Sequence, residues 1–175
     1  MKTMPHTASS VTPVIAIHGG AGTLTRSHIS PEQERAYHAA LQEVLCAGQA
    51  VLARGGSALD AVCVAVQALE DCPLFNAGHG AVFTADATHE LDAAVMDGAT
   101  LAAGAVAGVS RVRNPVLAAR AVQQDGQHVL MIGTAAERLA QSAGLAMVAP
   151  DYFSTEARLA QLRAAQAKAA GAVLD

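Results

Sequence analysis

Three short apolar segments near the middle of the chain, at 81–84, 91–96 and 103–109, are separated by only a few polar residues. Their lengths and their β-branched residues are typical of strands. Connections as short as 85–89 and 97–100 leave no room for a crossover helix, so consecutive strands have to run antiparallel. This spacing predicts an antiparallel meander, and it constrains the fold more than any other feature of the sequence.

Two helices are predicted before the meander. Ser30 and Gln33 have the spacing of a capping box, and the apolar residues after them recur at helical spacing as far as Gly55. Ser57 begins a second helix that ends near residue 71. A continuous apolar run at 14–17 is predicted to be a buried strand.

Helices and one strand alternate after the meander. Thr134 with Glu137, and later Ser154, are the predicted N-terminal caps of two of these helices. The predicted elements are a helix at 114–126, a strand at 128–132, and helices at 134–144 and 154–171. Helices paired around short strands predict an α/β (α+β) fold, in which helices pack on a mixed or antiparallel sheet.

Small side chains dominate the composition. The chain has 41 Ala and 15 Gly, which together occupy 56 of its 175 positions, and only five aromatic residues. Elements built from such residues pack closely but bury little apolar area per residue, and buried area is the main source of stability. The composition therefore indicates a chain that a partner completes.

Several classes of protein are excluded by charge and hydropathy. A hydrophobic fraction of 52% with a net charge of −4 does not fit a disordered chain, and no apolar run approaches the length of a membrane span. Scattered Arg and Lys argue against a nucleic-acid partner. Three cysteines without paired spacing and a polar start lead us to expect a cytoplasmic protein.

A glycine loop at 18–22, with the sequence His-Gly-Gly-Ala-Gly, follows the predicted strand at 14–17. It lacks the third glycine of a dinucleotide-binding motif, and the next helix begins only near Pro31, so phosphate binding is the weaker interpretation. A tight turn beneath a neighbouring element is favoured. A third possibility is a site where main-chain N–H groups face a reacting oxygen.

A second candidate is the turn-rich segment 72–80, called the Asn76 loop below. Cys72 and His79 lack further ligands nearby, which argues against zinc. Its Gly and Pro residues can fold the chain back so that carbonyls converge on a hard cation, although an ordinary structural loop is the simpler interpretation. Asn76 is either a turn former or a placed hydrogen-bonding group.

Other ionisable residues have local explanations. The carboxylates Glu90, Asp92 and Asp97 suggest acid–base chemistry as one interpretation. Asp92 is expected to be partly buried, and turn capping or pairing with Arg is favoured for it. His18 is expected to be packed or hydrogen-bonded, Cys63 to be inert core, and Arg111 and Arg113 to lie in a solvated loop. These residues do not assemble a nucleophile, a base and an oxyanion donor within the chain.

Five motifs in order nevertheless resemble one family. They are 18–22, Leu-Glu-Asp-Cys-Pro-Leu-Phe-Asn-Ala-Gly-His-Gly at 69–80, Glu-Leu-Asp-Ala at 90–93 with Met-Asp-Gly at 96–98, Ala-Gly-Ala-Val-Ala-Gly-Val at 103–109, and Asn-Pro at 114–115. From about Val14 to Asp175 the chain resembles the N-terminal half of plant-type L-asparaginases, also called isoaspartyl peptidases or β-aspartyl-peptidases.

The resemblance implies an N-terminal-nucleophile hydrolase with a four-layer αββα sandwich. Such precursors cut themselves at a Gly–Thr bond followed by Val-Gly, and the new N-terminal Thr of the β chain is the nucleophile. The Gly–Thr pairs at 22–23 and 133–134 lack that continuation. The resemblance therefore implies that 1–175 is the α subunit, with a flexible N-terminus at 1–12 and the start of a linker at 172–175.

The resemblance also implies roles for particular residues. Asn76 supports self-cleavage and orients the Thr region, and Gly19 and Gly20 approach the nucleophile. A sodium ion is implied at main-chain carbonyls of Leu69, Glu70, Cys72, Phe75, Ala77 and His79. The implied assembly is (αβ)2, and the implied substrates are L-asparagine and isoaspartyl dipeptides. The alternatives are a glycosylasparaginase, or a non-catalytic α/β module derived from this family.

Overall fold

The computed structural model describes residues 12–20 and 29–172. Its elements are α1 Pro31–Ala53, α2 Ala58–Asp71, β1 Leu91–Met96, β2 Ala103–Val109, α3 Pro115–Asp125, β3 Leu130–Ile132, α4 Gly133–Ser142, a 3₁₀ helix Pro150–Phe153 and α5 Glu156–Ala172. This mixture of helices and a sheet confirms the α+β class. Apart from residues 12 and 172, the predicted flexible segment 1–12 and linker start 172–175 lie outside the described residues.

The first two helices begin as predicted. The Ser30 hydroxyl accepts the Gln33 N–H at 3.2 Å, and the Gln33 side chain accepts the Ser30 N–H at 2.8 Å, so the capping box is complete. Ser57 caps α2 by accepting the N–H of Asp60 at 3.0 Å. Each cap satisfies backbone donors that have no partner within the first helical turn.

The sheet is mixed, with the strand order β1-β2-β3. β1 and β2 are the antiparallel pair predicted from the short turn between them, whereas β3 lies parallel to β2. A parallel partner requires a crossover, and α3 supplies it. The register of β1 against β2 shifts between Leu91 and Ala93, at a bulge where the Asp92 carboxylate accepts the Gly108 N–H at 2.8 Å.

The predicted strand at 81–84 is wrong, and side chains explain why. The Val82 N–H donates to Asn76 Oδ1 at 2.8 Å, and the Val82 carbonyl accepts from His89 Nδ1 at 3.2 Å. Both backbone groups that a neighbouring strand would pair are therefore already occupied. Thr84 then turns the chain, because its N–H donates to the Thr88 carbonyl at 2.8 Å.

The predicted strand at 14–17 is also wrong for the described residues. Its side chains alternate as a strand requires: Ile15 and Ile17 pack against the core, whereas Val14 is 89% exposed. A strand also needs a hydrogen-bonding neighbour, and none of the described strands pairs with this segment. Pattern alone could not reveal the missing neighbour.

Two predicted caps are replaced by other contacts. α4 begins at Gly133 without a side-chain cap, and Glu137 accepts the backbone N–H groups of Ser110 and Arg111 at 2.7 and 3.0 Å. The capping box of Thr134 and Glu137 is therefore wrong. Ser154 is not the cap of the last helix, because Thr155 accepts the N–H of Arg158 at 3.2 Å.

The core lies between the sheet and α3. Its most buried large side chains include Phe153 of the 3₁₀ helix and a set of valines: Val106, Val109, Val112, Val116 and Val122. Gly104 lets β2 approach α3 closely, since a Cβ there would collide with the Ala119 carbonyl. None of the helices within 12–20 and 29–172 is long and apolar enough to cross a membrane.

The other face of the sheet is apolar and uncovered by the described residues. The strand registers place Met96, Ala105, Leu130 and Ile132 on this side, which we call the outer sheet face. Met96, Leu130 and Ile132 are 55%, 54% and 65% exposed. Exposed apolar patches of this kind usually mark a surface that a partner covers.

Candidate functional site

The Asn76 loop folds back on the end of α2. Gly78 has φ +51° and Gly80 has φ +104°, conformations that side chains with a Cβ rarely adopt. A Cβ at Gly78 would collide with the Glu70 carbonyl, and one at Gly80 would lie 2.5 Å from the Pro73 carbonyl oxygen. Two glycines therefore allow the loop to close on its own beginning.

Three carbonyl oxygens at the end of α2 and the start of this loop accept hydrogen bonds from the backbone of the loop. The carbonyls of Leu69, Glu70 and Cys72 accept the N–H groups of Cys72, His79 and Phe75 at 3.2, 2.7 and 3.4 Å. A carbonyl oxygen has two lone pairs, so each can also bind a cation. Among the described residues, no group of three or more His, Cys, Asp or Glu side chains could hold a metal ion. The donor set present is the oxygen type that hard cations prefer.

Asn76 lies on the exposed side of the loop. Its side-chain Oδ1 accepts the N–H of Val82 at 2.8 Å, which fixes the plane of the amide. Within the part of the chain that the structure describes, Nδ2 has no hydrogen-bond partner. Asn76 is therefore a placed hydrogen-bonding group, and no described residue uses its amide donor.

The described part of the glycine loop, residues 18–20, lies beside the Asn76 loop. A Cβ at Gly19 would lie 3.0 Å from Leu41 and 3.2 Å from the Phe75 ring, so a larger residue there would require these side chains to shift by a few tenths of an ångström. Gly20 has φ +118°, and its N–H donates to His18 Nδ1 at 3.1 Å. The structure thus brings Gly19 next to the residue that precedes Asn76, and it shows His18 hydrogen-bonded, as expected, but exposed.

The motif resemblance implies a role for the carbonyl of Glu70 and none for its side chain. That side chain is 3% exposed, and its Oε1 accepts the Val116 N–H at 2.9 Å, at the start of α3. Burial raises the pKa of Glu70 to about 8. Glu70 follows the buried Cys63 by two helical turns, so an acidic residue on an apolar face was the available signal.

Asp71 joins three elements next to the loop. Its Oδ1 accepts from Arg113 Nε at 3.2 Å and from Asn114 Nδ2 at 3.1 Å, and Tyr152 lies 3.5 Å away. Arg113 also stacks on the Tyr152 ring, 5.6 Å from its centroid. The expectation of a solvated loop therefore fits the exposed Arg111 and is incomplete for Arg113.

The remaining candidate side chains have structural or surface positions. Asp92 is exposed, rather than partly buried, and Asp97 Oδ1 accepts the Ala99 N–H in the β1–β2 turn. Cys63 is 2% exposed, and burial raises the pKa of its thiol, which agrees with an inert core residue. The described residues bring together Gly19, Phe75 and Asn76, and they leave these other groups outside the site.

His89 is a further residue that sequence reasoning missed. It is 3% exposed, its Nδ1 donates to the Val82 carbonyl, and its Nε2 lies 3.1 Å from the Ser154 hydroxyl. The Phe83 ring is 4.1 Å from the imidazole, centroid to centroid. Burial lowers the pKa of His89. The imidazole connects the chain after Asn76 to the segment before α5.

The buried His89 should make stability depend on pH. Because its pKa is lower in the folded protein, the unfolded chain binds the extra proton, and stability should fall as the pH drops through the ordinary histidine range and below. One proton limits the slope to about 1.4 kcal/mol per pH unit. Urea unfolding should show that the free energy of unfolding falls less between pH 7.5 and pH 5 in His89→Gln than in the unsubstituted protein. His128→Gln, at an exposed histidine, is the matched control, and an equal loss in both variants would contradict the prediction.

Comparison with known proteins shows which family the chain resembles. The sequence profile of a family described as asparaginase matches residues 11–174. An isoaspartyl peptidase of Salmonella typhimurium is 62% identical over 154 residues, which cover 88% of this chain and 49% of that protein. An isoaspartyl peptidase of Escherichia coli is 58% identical over 93% of this chain and 50% of its own length. A plant-type L-asparaginase of Thermococcus kodakarensis is 47% identical over 84% of this chain and 45% of its own length.

The chain belongs to this asparaginase family, because the profile spans nearly all of it. It spans about half the length of the curated relatives it matches. The structure therefore corresponds to about half of the relatives' length. That half contains the Asn76 loop, the glycine loop and the outer sheet face.

Proposed function

We propose that this chain is the α subunit, residues 1–175, of an amidohydrolase that converts L-asparagine to aspartate and ammonia and cleaves isoaspartyl dipeptides. The observation that carries the proposal is the family match over 11–174, which includes the loop that presents Asn76. The names of the relatives, isoaspartyl peptidase and plant-type L-asparaginase, support the substrate class. The resemblance of the motifs supports the assignment of the chain as the α subunit of a precursor that cuts itself.

In the proposed reaction the nucleophile belongs to a separate β chain. The hydroxyl of its N-terminal Thr attacks the side-chain carbonyl carbon of asparagine, and the Thr α-amine takes the hydroxyl proton. Ammonia leaves with that proton, and an acyl-enzyme ester remains. Water, activated by the same amine, then cleaves the ester and releases aspartate. An isoaspartyl dipeptide follows the same course with an amino acid as the leaving group.

The residues of this chain position the β chain in that scheme. In this scheme Asn76 presents its amide Nδ2, which has no partner among the described residues, to the Thr region, while its Oδ1 accepts from the Val82 N–H. Gly19 and Gly20 provide a close backbone approach on the neighbouring side, because Gly19 has no Cβ to displace Leu41 and Phe75. Placed donors and a close backbone are what a reaction that develops an oxyanion requires.

The uncovered surfaces support a β-chain partner. The outer sheet face is apolar and exposed, and the segment 14–17 alternates like a strand without a described neighbour. A second sheet packed on that face would give the four-layer αββα sandwich of the proposed family fold. We propose an (αβ)2 assembly in the cytoplasm, with both chains cut from one precursor.

Expression of the coding sequence continued past residue 175 tests this function. The purified protein should contain two chains, the second beginning with Thr, and should release ammonia from L-asparagine and aspartate from a β-aspartyl dipeptide. A precursor in which that Thr is replaced by Ala should remain one chain and be inactive. A single intact chain with full activity, or two chains without activity on either substrate, would refute the proposal.

Sodium is proposed as a structural ion of the Asn76 loop, held by the main-chain carbonyls of Leu69, Glu70, Cys72, Phe75, Ala77 and His79. Binding to the folded state alone raises stability by RT ln(1 + [L]/Kd), about 2.7 kcal/mol at a hundredfold excess over Kd. The thermal midpoint should therefore rise in sodium chloride relative to choline chloride of equal ionic strength. Identical midpoints in the two salts would mean that the loop needs no sodium.

A further inference from the structure

The backbone of Gly80 is held on both sides by the C-terminal part of the described chain. Its N–H donates to the Phe153 carbonyl at 3.0 Å, and its carbonyl accepts from Arg158 Nε at 2.6 Å. One residue earlier, His79 Nδ1 donates to the Tyr152 carbonyl at 2.7 Å. The 3₁₀ helix and the first turn of α5 therefore dock directly on the end of the Asn76 loop.

Within the described residues, Arg158 makes the one side-chain hydrogen bond from α5 to Gly80. It lies in the first turn of α5, where Thr155 accepts its backbone N–H, and its Nη1 donates to Gln161 at 3.0 Å. Within the described residues it forms no ion pair with a carboxylate. A guanidinium that is partly buried and fixed at two nitrogens serves here to hold a single backbone carbonyl.

The two residues that follow Gly80 are hydrogen-bonded to the part of the loop that contains Asn76. The Ala81 N–H donates to the Gly78 carbonyl at 3.0 Å, and the Val82 N–H donates to Asn76 Oδ1 at 2.8 Å. A shift of Gly80 would move Val82, which is two residues away, and would release the Asn76 amide. The position of Asn76 Nδ2 therefore depends on how α5 docks.

We propose that Arg158 is a positioning residue for the amide of Asn76, which it orients by anchoring α5 to the carbonyl of Gly80. The inference rests on the proposed function, in which Asn76 serves self-cleavage and amide hydrolysis. In that scheme the segment that is cut follows α5 in the chain. One side chain thus ties the approach to the cleavage point to the residue that assists cleavage.

The test uses the full-length precursor with three substitutions: Arg158→Ala, Arg158→Lys and Arg163→Ala. Arg163 is an exposed arginine of the same helix, so its removal changes the charge equally and leaves Gly80 untouched. The measurements are the rate of self-cleavage, and kcat and KM of the mature enzyme on a β-aspartyl dipeptide. Arg158→Ala should slow self-cleavage and lower kcat about tenfold or more, with KM within twofold. Arg158→Lys should recover part of the loss, and Arg163→Ala should match the unsubstituted protein.

The controls separate this inference from the proposed function. If the unsubstituted precursor neither cuts itself nor hydrolyses either substrate, the proposed function fails. If it does both and Arg158→Ala matches it, the proposed function stands and the role of Arg158 is overturned. A rise in KM with kcat unchanged also overturns it. The role of Arg158 is also overturned if the loss of activity in Arg158→Ala disappears once rates are expressed per folded molecule. Thermal unfolding gives the folded fraction.

Discussion

Replacing Gly78 with Ala should destabilise the protein by about 2–4 kcal/mol and abolish self-cleavage and hydrolysis. Gly78 has φ +51°, and a Cβ there would collide with the Glu70 carbonyl. The obstacle is backbone that is tied to His79 by a hydrogen bond of 2.7 Å, so it cannot rotate away as a side chain would. The loop would have to open, and Asn76 would lose its position.

Gly98→Ala is the matched control for this prediction. Gly98 lies in the turn between β1 and β2, its φ is not in the left-handed region, and no heavy atom lies within 4 Å of a Cβ built there. Its replacement should change the free energy of unfolding by about 0.5 kcal/mol or less. Urea denaturation of both variants measures the difference. Equal stability of Gly78→Ala and the unsubstituted protein would show that the loop does not need to close on α2.

The parts of the fold that were predictable are those governed by neighbouring residues. The capping box of Ser30 and Gln33 joins residues three positions apart, and the antiparallel pairing of β1 with β2 follows from the short turn between them. Their energetics are local, so the sequence pattern contains them. The same holds for Gly126, whose φ of +69° ends α3 as expected.

The errors occur where distant groups compete for the backbone. The segment 81–84 has a strand pattern, but Asn76 and His89 occupy both backbone groups of Val82. Glu137 has capping-box spacing, yet the free N–H groups at the end of β2 take its carboxylate. A local pattern cannot show which distant donor lies nearer, so these outcomes require the three-dimensional fold.

Some residues of the candidate site could be predicted from the sequence, and others could not. Motif resemblance drew attention to Asn76 and Gly19, and the structure places Gly19 beside Phe75, the residue before Asn76. The resemblance did not indicate that Val82 and His89 support the Asn76 amide, because they act through backbone contacts that no motif describes. Their contributions depend on packing between segments that are distant in the sequence.

Asn76→Ala should leave the protein folded and reduce self-cleavage and kcat about a hundredfold. The side chain is exposed and makes one described hydrogen bond, to the Val82 N–H, so its removal should cost only about 0.5–1.5 kcal/mol of stability. The large kinetic effect follows from its proposed position beside the nucleophile, where an amide donor stabilises developing negative charge. Rates of precursor cleavage and steady-state hydrolysis of L-asparagine are the measurements.

Asn76→Asp separates the two halves of the amide. An aspartate keeps an oxygen for the Val82 N–H but has no Nδ2 donor, and it places a negative charge where the reaction develops one. If the Nδ2 donor is the group that acts in the reaction, self-cleavage and kcat should fall at least as far in Asn76→Asp as in Asn76→Ala, although Asn76→Asp preserves the loop. If the only role of Asn76 is to support Val82, Asn76→Asp should retain most of the activity.

Gln124→Ala, at an exposed amide on α3, should leave both rates unchanged. Normal cleavage and turnover in Asn76→Ala would remove Asn76 from the mechanism, and the Asn76 loop would then be a structural loop alone.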